Sequence, residues 1–561
     1  MDRAKNIQRL ALETFDLCII GGGASGAGCA LDAALRGLKV ALIEKTDFAA
    51  ETSSRSTKLV HGGVRYLEQA FKNLDFAQLR QVRHGLEERN IVLKNAPHLA
   101  HPIGLITPVF SWWEGLYFYL GLKIYDWFAG KNSRFPSSRW LSRKETLQRM
   151  PGLNTQIHSS VLYYDGQMED ARYCLALVQS AAQLEAVVAN HLEVIDFQKD
   201  ATGKIIAASV KDSLEEAPPF SIKATQFLNC TGPFADQIRH LANPGLPQRI
   251  RPSKGVHLVL SPEILQSSEA MLIPRTRDGR MVFAVPFEGY LLLGTTDEPY
   301  SAVNEEPVVE SRERRFLLET LQPFVSKKIE PGHFSAGFGG IRPLILASSP
   351  SFQRSRQTKS VLRDHEVERD PNSGLISLLG GKWTTYRLMA HDALEEVCRN
   401  IPGIAQSAQG RVTPASTTQE HTLVGAEDHD PEQWKKLFET YGLEADICRH
   451  LASKYGSLAH KVANIAHDCP ELRERIVPLF PFLKAEIIYT VRFEMARTIR
   501  DFLARRIRLE ILDWEAAKQA APVVARWMGQ ELGWSEAETQ ENIHAYLILL
   551  ESFRQRAQIN D

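Results

Sequence analysis

Residues 15–26 read Phe-Asp-Leu-Cys-Ile-Ile-Gly-Gly-Gly-Ala-Ser-Gly, and the chain runs on through small residues to a second apolar stretch, Val-Ala-Leu-Ile at 40–43, closed by Glu44. This order predicts a strand, a tight turn, a helix and a second strand. Gly21, Gly23 and Gly26 fit G-x-G-x-x-G, in which the first glycine permits the turn, the second lets backbone approach a pyrophosphate and the third brings helix and strand close. Gly28, Ala30, Ala33 and Ala34 keep the predicted helix slim, and Glu44 falls where a carboxylate accepts hydrogen bonds from a ribose. Glycine-rich turns alone are common. The succession of strand, small-residue helix and acidic strand end is what marks a dinucleotide site.

Around this unit there is room for two or three domains, since the chain has 561 residues. A content of 44% hydrophobic and 24% charged residues is that of an ordinary globular protein. Lys and Arg number 66 against 67 Asp and Glu, so the whole-chain charge carries no nucleic-acid signal. The seven cysteines (18, 29, 174, 230, 398, 448 and 469) are scattered and form no C-x-x-C pair, which predicts a reducing compartment, no disulfide framework and no zinc or other metal site. Residues 1–14 lack the apolar core of a secretory signal. The expected location is therefore cytoplasmic, or peripheral on the cytoplasmic side of the inner membrane.

One segment bears on that choice. Residues 110–130 read FSWWEGLYFYLGLKIYDWFAG, aromatic throughout but interrupted by Glu114, Lys123 and Asp126. Such a composition suits an interface better than a hydrocarbon interior. Two readings stand: a buried aromatic subdomain, or an aromatic surface dipping into a membrane beside Lys131, Arg134, Arg139 and Arg143.

Small hydroxyl residues at 51–66 lead into Gly62-Gly63 and predict backbone lying against a ligand, with Ser53, Ser54 and Lys58 supplying polar groups. Residues 67–93 carry a long amphipathic helical pattern. A strand at 222–229 runs into Asn-Cys-Thr-Gly-Pro at 229–233, the manner in which a parallel sheet offers its carboxyl edge to a ligand. Strands at 257–260, 282–286 and 290–294 predict an antiparallel second layer over the ligand. A further glycine turn, LISLLGGKWTTY at 375–386, opens a helix whose start favours an electron-rich group. The expected fold class is α/β: a discontinuous Rossmann-type dinucleotide domain (mainly 14–100, 155–240 and 355–400), an antiparallel-sheet substrate domain (mainly 101–154 and 241–354), a linker at 403–425 and a C-terminal all-α domain at 426–561. Residues 485–512 are expected as one long helix whose arginines (Arg497, Arg500, Arg505, Arg506, Arg508) form a solvated face with salt bridges, or meet phospholipid headgroups or a partner subunit.

DLCIIGGGASGAG at 16–28, TSSRSTKLVHGGVRYLE at 52–68, APHLAHP at 96–102, YYDGQMEDAR at 163–172, NCTGPFAD at 229–236, GVHLVL at 255–260, GTTDEP at 294–299, GGIRPL at 339–344 and GGKWTTYR at 380–387 occur in family order. The chain they belong to resembles the FAD-dependent, quinone-linked glycerol-3-phosphate dehydrogenases. It resembles most the mitochondrial-like type lacking the calcium-binding extension, for no D-x-[DN]-x-[DN]-G loop is present. Cys230 stands where the family usually has alanine, a small change in volume.

The resemblance implies oxidation of sn-glycerol-3-phosphate to dihydroxyacetone phosphate by hydride transfer to FAD, with electrons passed to a membrane quinone. An oxygen-reducing glycerol-3-phosphate oxidase, or another amine or hydroxy-compound flavin oxidase of the same fold, is the alternative; a surface-binding protein keeping flavin as a structural element is a third. A peripheral membrane surface and a homodimer are the other partners implied. The cofactor residues carried over are Gly21, Gly23, Ser25, Gly26, Glu44, Lys45, Thr52, Ser53, Ser54, Lys58, Leu59, His61, Gly62, Gly232, Gly381, Lys382 and Thr384. Arg65, Tyr66, Thr296, Arg342, Arg363 and Lys382 are the substrate residues, the arginines because a planar guanidinium donates two charge-assisted hydrogen bonds to phosphate. The expected catalytic set is His257, Arg342, Arg65 and Lys382. An imidazole with an ordinary pKa of about 6.5 takes an alcohol proton at neutral pH. His61 competes with His257 for that role, Asp297 is expected beside Thr296, and Thr384 and Thr385 are expected to cap the last helix.

Overall fold

The computed structural model describes residues 1–63, 76–129, 135–274, 276, 279–346, 365–401 and 415–558. Two sheets and a helical domain organise them. The first sheet runs, in spatial order, His365–Arg369, Ile376–Gly380, Phe220–Asn229, Thr14–Ile20, Val40–Ile43 and Val187–Ala189. From Ile376–Gly380 to Val187–Ala189 all neighbours are parallel, with Ile20 opposite both Asn229 and Ile43. Val40–Ile43 is buried along its whole length, as a strand covered on both faces must be. The hairpin Leu192–Lys199 and Ile205–Asp212 extends the sheet from the edge of Phe220–Asn229.

The helix Ala24–Leu35 follows the first strand because its small residues let it lie flat against its neighbours. A Cβ at Gly26 would stand 1.8 Å from Gly21 O, and one at Gly28 would stand 2.8 Å from the Tyr386 ring. Tyr386–Asn400 and Asp170–Gln183 flank it, and the three share one apolar core with the sheet.

The second sheet centres on Ile250–Leu260, which pairs with Tyr290–Gly294 on one side and along its length with Phe334–Ile345 on the other. Ala100–Val109 and Ser159–Met168 extend it. The layer is mixed rather than purely antiparallel, because Ala270–Ile273 runs parallel to Ala100–Val109.

The long helix expected at 485–512 is broken. Lys484–Glu494 ends at Met495 with φ 56°, a wide helical turn covers Asp501–Arg506, and Arg508 at φ 70° precedes the short Leu509–Leu512. Its arginines do not form a solvated face. Arg505, Arg506 and Arg508 are buried, inserted between the C-terminal domain and the first sheet. Asp47 accepts from Arg505 Nε at 2.6 Å and Arg506 Nη1 at 2.7 Å, and Arg172 Nη1 donates to Glu494 at 2.6 Å. Low-dielectric surroundings demand such pairing, because an unpaired buried guanidinium is costly.

Trp112–Ala129 is a helix with two characters. Leu122 and Tyr125 are buried, while Trp113 is 75% and Trp127 76% exposed, with Trp112, Tyr117 and Leu120 also open to solvent. Neither a buried subdomain nor a wholly open surface describes it. No described helix is long and apolar enough to cross a membrane.

Candidate functional site

A single cavity of about 1070 Å³ lies between the two sheets. Gly21, Gly23, Ala24 and Ser25 line it with Glu44, Lys45 and Thr46, Gly380 to Thr384 enter from the same carboxyl edge of the first sheet two strands away, and His257, Thr296 and Arg342 come from the second. That volume is at the upper end of ordinary small-molecule pockets, as an extended cofactor with a substrate beside it requires.

The dinucleotide end is built from the opening turn. Gly21 has φ +109°, and a Cβ there would meet Cys230 O at 2.7 Å, so the turn needs glycine. Gly23 is the helix N-cap and has no side chain to cap with; Ser53 Oγ does so from a distant loop, accepting from Ala24 N at 2.9 Å. A Cβ at Gly23 would stand 2.8 Å from that oxygen. Glu44 lines the cavity and accepts from Gly22 N at 2.6 Å and Thr46 N at 2.9 Å. Burial lifts its carboxyl above the usual range, with the two amides opposing. Helix start, open glycine and carboxylate fit the pyrophosphate and ribose of FAD.

The far end fits the rest of such a cofactor. Gly380 and Gly381 have φ +71° and +87°, which brings Lys382 round into the cavity. Trp383 Nε1 donates to Ser53 O at 2.8 Å and ties this turn to the opening one. Thr385 is the N-cap of Tyr386–Asn400 but makes no capping bond; its hydroxyl donates back to Lys382 O at 3.4 Å.

The second sheet supplies the opposite wall. Ser253, Gly255 and His257 alternate on one face of Ile250–Leu260, and their partners across the ladder are Arg342, Gly340 and Phe338. Gly255 leaves room for a guanidinium: a Cβ there would stand 2.5 Å from Arg342 Nη2, so the arginine folds along the strand toward His257. Arg342 donates to Thr295 Oγ1 at 3.1 Å and to Asp297 Oδ1 at 3.4 Å. Thr296 is buried, its hydroxyl accepting from Val256 N at 3.1 Å.

His257 departs from the expected ordinary imidazole. Burial first, then the neighbouring Lys58 and Arg342, push it down to about 3 against the pull of Asp170. It is neutral throughout the neutral range.

Lys45, Thr52, Ser53, Leu59, His61 and Gly232 also line the cavity. Four expected cofactor residues lie behind the wall instead. Lys58 is not a ligand-facing group: its ammonium is fully buried, donating to Asp170 Oδ2 at 2.6 Å and Ser54 O at 2.7 Å. Burial lowers it to about 7, Asp170 resisting and Arg508 assisting. Ser54 is buried and takes part through its carbonyl, Gly26 packs on Gly21, and Gly62 donates its N–H to Tyr125 Oη at 2.8 Å. Arg65, Tyr66 and Arg363 lie outside the described residues. Sequence reasoning passed over Thr57, Asp165 and Arg280, which line the cavity, and Asp170, which pins Lys58. Thr57, Asp165 and Asp170 stood inside words quoted for the family resemblance, where residue type gives no sign of role.

Residues 16–387 match the FAD dependent oxidoreductase family, and residues 416–539 match the C-terminal domain of alpha-glycerophosphate oxidase. The chain is 41% identical over 539 residues to a probable mitochondrial glycerol-3-phosphate dehydrogenase of Caenorhabditis elegans, covering 95% of this chain and 72% of that protein. It is 38% identical over 555 residues to the mitochondrial glycerol-3-phosphate dehydrogenase of Homo sapiens, covering 96% and 74%. Among solved structures it is similar to the glycerol-3-phosphate dehydrogenase of Bacillus halodurans complexed with FAD, with a TM-score of 0.77, 29% identity and coverage of 99% and 97%.

Proposed function

The chain belongs to the FAD-dependent glycerol-3-phosphate dehydrogenase family, and from that membership we propose how its residues divide the reaction. It is an FAD-dependent oxidoreductase that oxidises sn-glycerol-3-phosphate. Bound FAD supplies the acceptor for the hydride that leaves the substrate carbon as the alcohol becomes dihydroxyacetone phosphate. The observation that carries the assignment of roles is that one cavity brings the dinucleotide turn, Lys382, His257 and Arg342 together.

Arg342 holds the phosphate: it lines the cavity, and the glycine at 255 leaves room for its guanidinium. His257 accepts the proton of the substrate hydroxyl at Nε2, the ring nitrogen beside the cavity-lining Thr57, because its Nδ1 is buried away from the cavity. Its depressed basicity in the free protein comes from burial first and then from Lys58 and Arg342; a phosphate dianion on the Arg342 guanidinium offsets that last charge and raises the proton affinity of the ring when substrate is present. His61 lines the same cavity and is the second candidate. Lys382 faces the cofactor and substrate, and Thr296 closes the far wall.

The electron acceptor in this reading is a membrane quinone, and the protein sits peripherally on the cytoplasmic side of the inner membrane. What supports the membrane contact is the outer face of Trp112–Ala129, where Trp112, Trp113, Tyr117, Leu120 and Trp127 are exposed, together with the solvent-facing Arg139, Arg143 and Lys144. Indole rings and basic side chains are the groups that settle at a headgroup interface. A homodimer completes the partner set.

The test is spectroscopic. Purified holoenzyme is yellow, and anaerobic glycerol-3-phosphate bleaches its visible flavin band; bleaching by an amino acid but not by glycerol-3-phosphate sinks the assignment. Reduction of a quinone analogue measured against oxygen consumption separates dehydrogenase from oxidase. Flotation with anionic vesicles of wild type and of Trp113→Glu/Trp127→Glu tests the surface: equal flotation rejects it. Light scattering of the same preparations reads the dimer.

A further inference from the structure

Among the described residues the His257 ring makes one hydrogen bond, between Nε2 and Thr57 Oγ1 at 2.9 Å. The ring lies stacked on Phe338 with centroids 4.9 Å apart, and its Nδ1 is buried with no hydrogen-bond partner among the described residues. The stack on Phe338 and the one hydrogen bond to Thr57 together therefore fix the turn of the imidazole about Cβ–Cγ, and Thr57 sets where Nε2 lies.

The segment that carries Thr57 is clamped from outside. Asp170, fully buried, accepts at Oδ2 from Ser56 N at 3.0 Å, Ser56 Oγ at 2.7 Å and Lys58 Nζ at 2.6 Å. At Oδ1 it accepts from Arg508 Nη2 at 3.0 Å. Arg508 Nη2 also donates to Ser54 O at 2.6 Å, where Lys58 Nζ arrives at 2.7 Å, and its Nε stands 2.8 Å from Glu169. Thr57 is thus held on both sides, through Ser54 and Ser56 before it and Lys58 after it.

Such a cluster is a poor way to gain stability. Removing these charges from water offsets most of their mutual attraction, and Arg508 adopts φ 70°, a conformation a non-glycine residue takes up at a cost. What the cluster does provide is a unique position for residues 54–58. We propose that Thr57 is a positioning residue for His257, and that Arg508 of the C-terminal domain, acting through Asp170, holds the segment in place. The inference rests on the reading that His257 meets the reacting hydroxyl.

Rapid mixing of holoenzyme with glycerol-3-phosphate under anaerobic conditions, following flavin bleaching, tests it. Thr57→Val keeps the shape and removes the hydroxyl; bleaching at saturating substrate slows about tenfold or more, while the concentration for half-maximal rate moves by less than about twofold. Thr57→Ser retains the hydroxyl and recovers most of the lost rate. Thr57→Val/His257→Asn is no slower than His257→Asn alone, because Thr57 acts only through the ring. Arg508→Met, compared at full FAD content, slows bleaching in the same way. Should that variant fail to keep FAD, Ser56→Ala, which removes one donor to Asp170 and no charge, decides the remote arm by the same rate. Wild-type bleaching in Thr57→Val overturns the proposal, and wild-type bleaching in FAD-replete Arg508→Met or in Ser56→Ala overturns its remote arm. If His257→Asn itself bleaches at the wild-type rate, the underlying reading fails; if His257→Asn is slow and Thr57→Val is not, only the positioning inference fails.

Discussion

Asp47→Asn removes one negative charge from the junction between the cofactor domain and the C-terminal helices without changing volume. Asp47 is fully buried. Its Oδ2 accepts from Arg505 Nε at 2.6 Å and Arg506 Nη1 at 2.7 Å, and its Oδ1 from Arg506 Nη2 at 3.0 Å and Asn190 Nδ2 at 3.0 Å. Breaking a buried ion pair costs roughly 3–5 kcal/mol, because the surviving charge is left desolvated. Here each arginine keeps another carboxylate: Arg505 has Asp501 at 2.5 Å, and Arg506 has Glu494 at 3.4 Å. The loss therefore falls at the lower end, about 3 kcal/mol. Urea unfolding of the holoenzyme, followed by tryptophan and by flavin fluorescence, reads it; with a slope of roughly 3 kcal/mol per M the first transition moves down by about 1 M. Flavin release moves with it, because Asp47 is three residues from Glu44 at the cofactor end of the cavity. Glu13→Gln is the control: its pair with Arg9 at 2.8 Å is partly exposed, and such pairs contribute about 0–1 kcal/mol. A midpoint for Asp47→Asn no lower than that of the control refutes the claim that this cluster docks the two domains.

The depressed histidines set a pH dependence of stability. His257 and His98 are each held at about 3 in the folded protein, by burial first. Between there and the ordinary value near 6.5 the unfolded chain binds protons the folded one refuses, so the contribution is complete above about pH 6.5 and is lost as pH falls, at up to about 1.4 kcal/mol per pH unit for each ring. The urea midpoint accordingly drops more from pH 7.5 to 5.5 in wild type than in His257→Asn; equal drops contradict the depressed value. Gly23→Ala places a methyl group 2.8 Å from Ser53 Oγ and disturbs the Ala24 cap; FAD affinity in a reconstitution titration falls about tenfold or more, the loss of a cap alone being worth about 1 kcal/mol. Arg342→Ala raises KM strongly at unchanged FAD content, as loss of a charge-assisted phosphate contact does; loss of FAD instead assigns Arg342 to the cofactor.

The opening strand, turn and helix could be read from the sequence because enough of their determinants are local, although Cys230, Ser53 and Tyr386 add to them from a distance. Gly21 needs its positive φ within the turn, Gly26 packs on Gly21, and Glu44 returns to bond Gly22 within the same unit. Val40–Ile43 reads as a buried strand for the same reason. The second sheet was legible only in its strands near 257–260, 282–286 and 290–294; Ala100–Val109, Ala270–Ile273 and Phe334–Ile345 went unread, and nothing in residues 270–273 marks a parallel neighbour. His257, Arg342 and Lys382 were singled out by the family resemblance of the short words that carry them, not by residue type, and they do line one cavity. The depressed basicity of His257 was out of reach, because it depends on Lys58 and Arg342 arriving from other elements.

Lys58 and the C-terminal arginines show where residue type misleads. A lysine among small hydroxyls reads as a polar ligand contact, yet its partner Asp170 lies 112 positions away, and Arg508 closes on the same carboxylate from 338 positions away. Charges at separations like these have no periodicity to betray them. The default for an arginine-rich amphipathic stretch is a wet face, and the two residues that break the helix, Met495 and Arg508, are neither glycine nor proline. Had the stretch stayed one straight helix, Arg505, Arg506 and Arg508 would have pointed in directions about 100° apart from one residue to the next. The wide turn at Asp501–Arg506 and the left-handed Arg508 turn all three toward the first sheet, where Asp47 and Asp170 wait at the two ends of the loop that lines the cavity. The break in the helix is therefore what connects the C-terminal domain to the loop between Glu44 and Lys58, and the unpatterned arginines are its contacts.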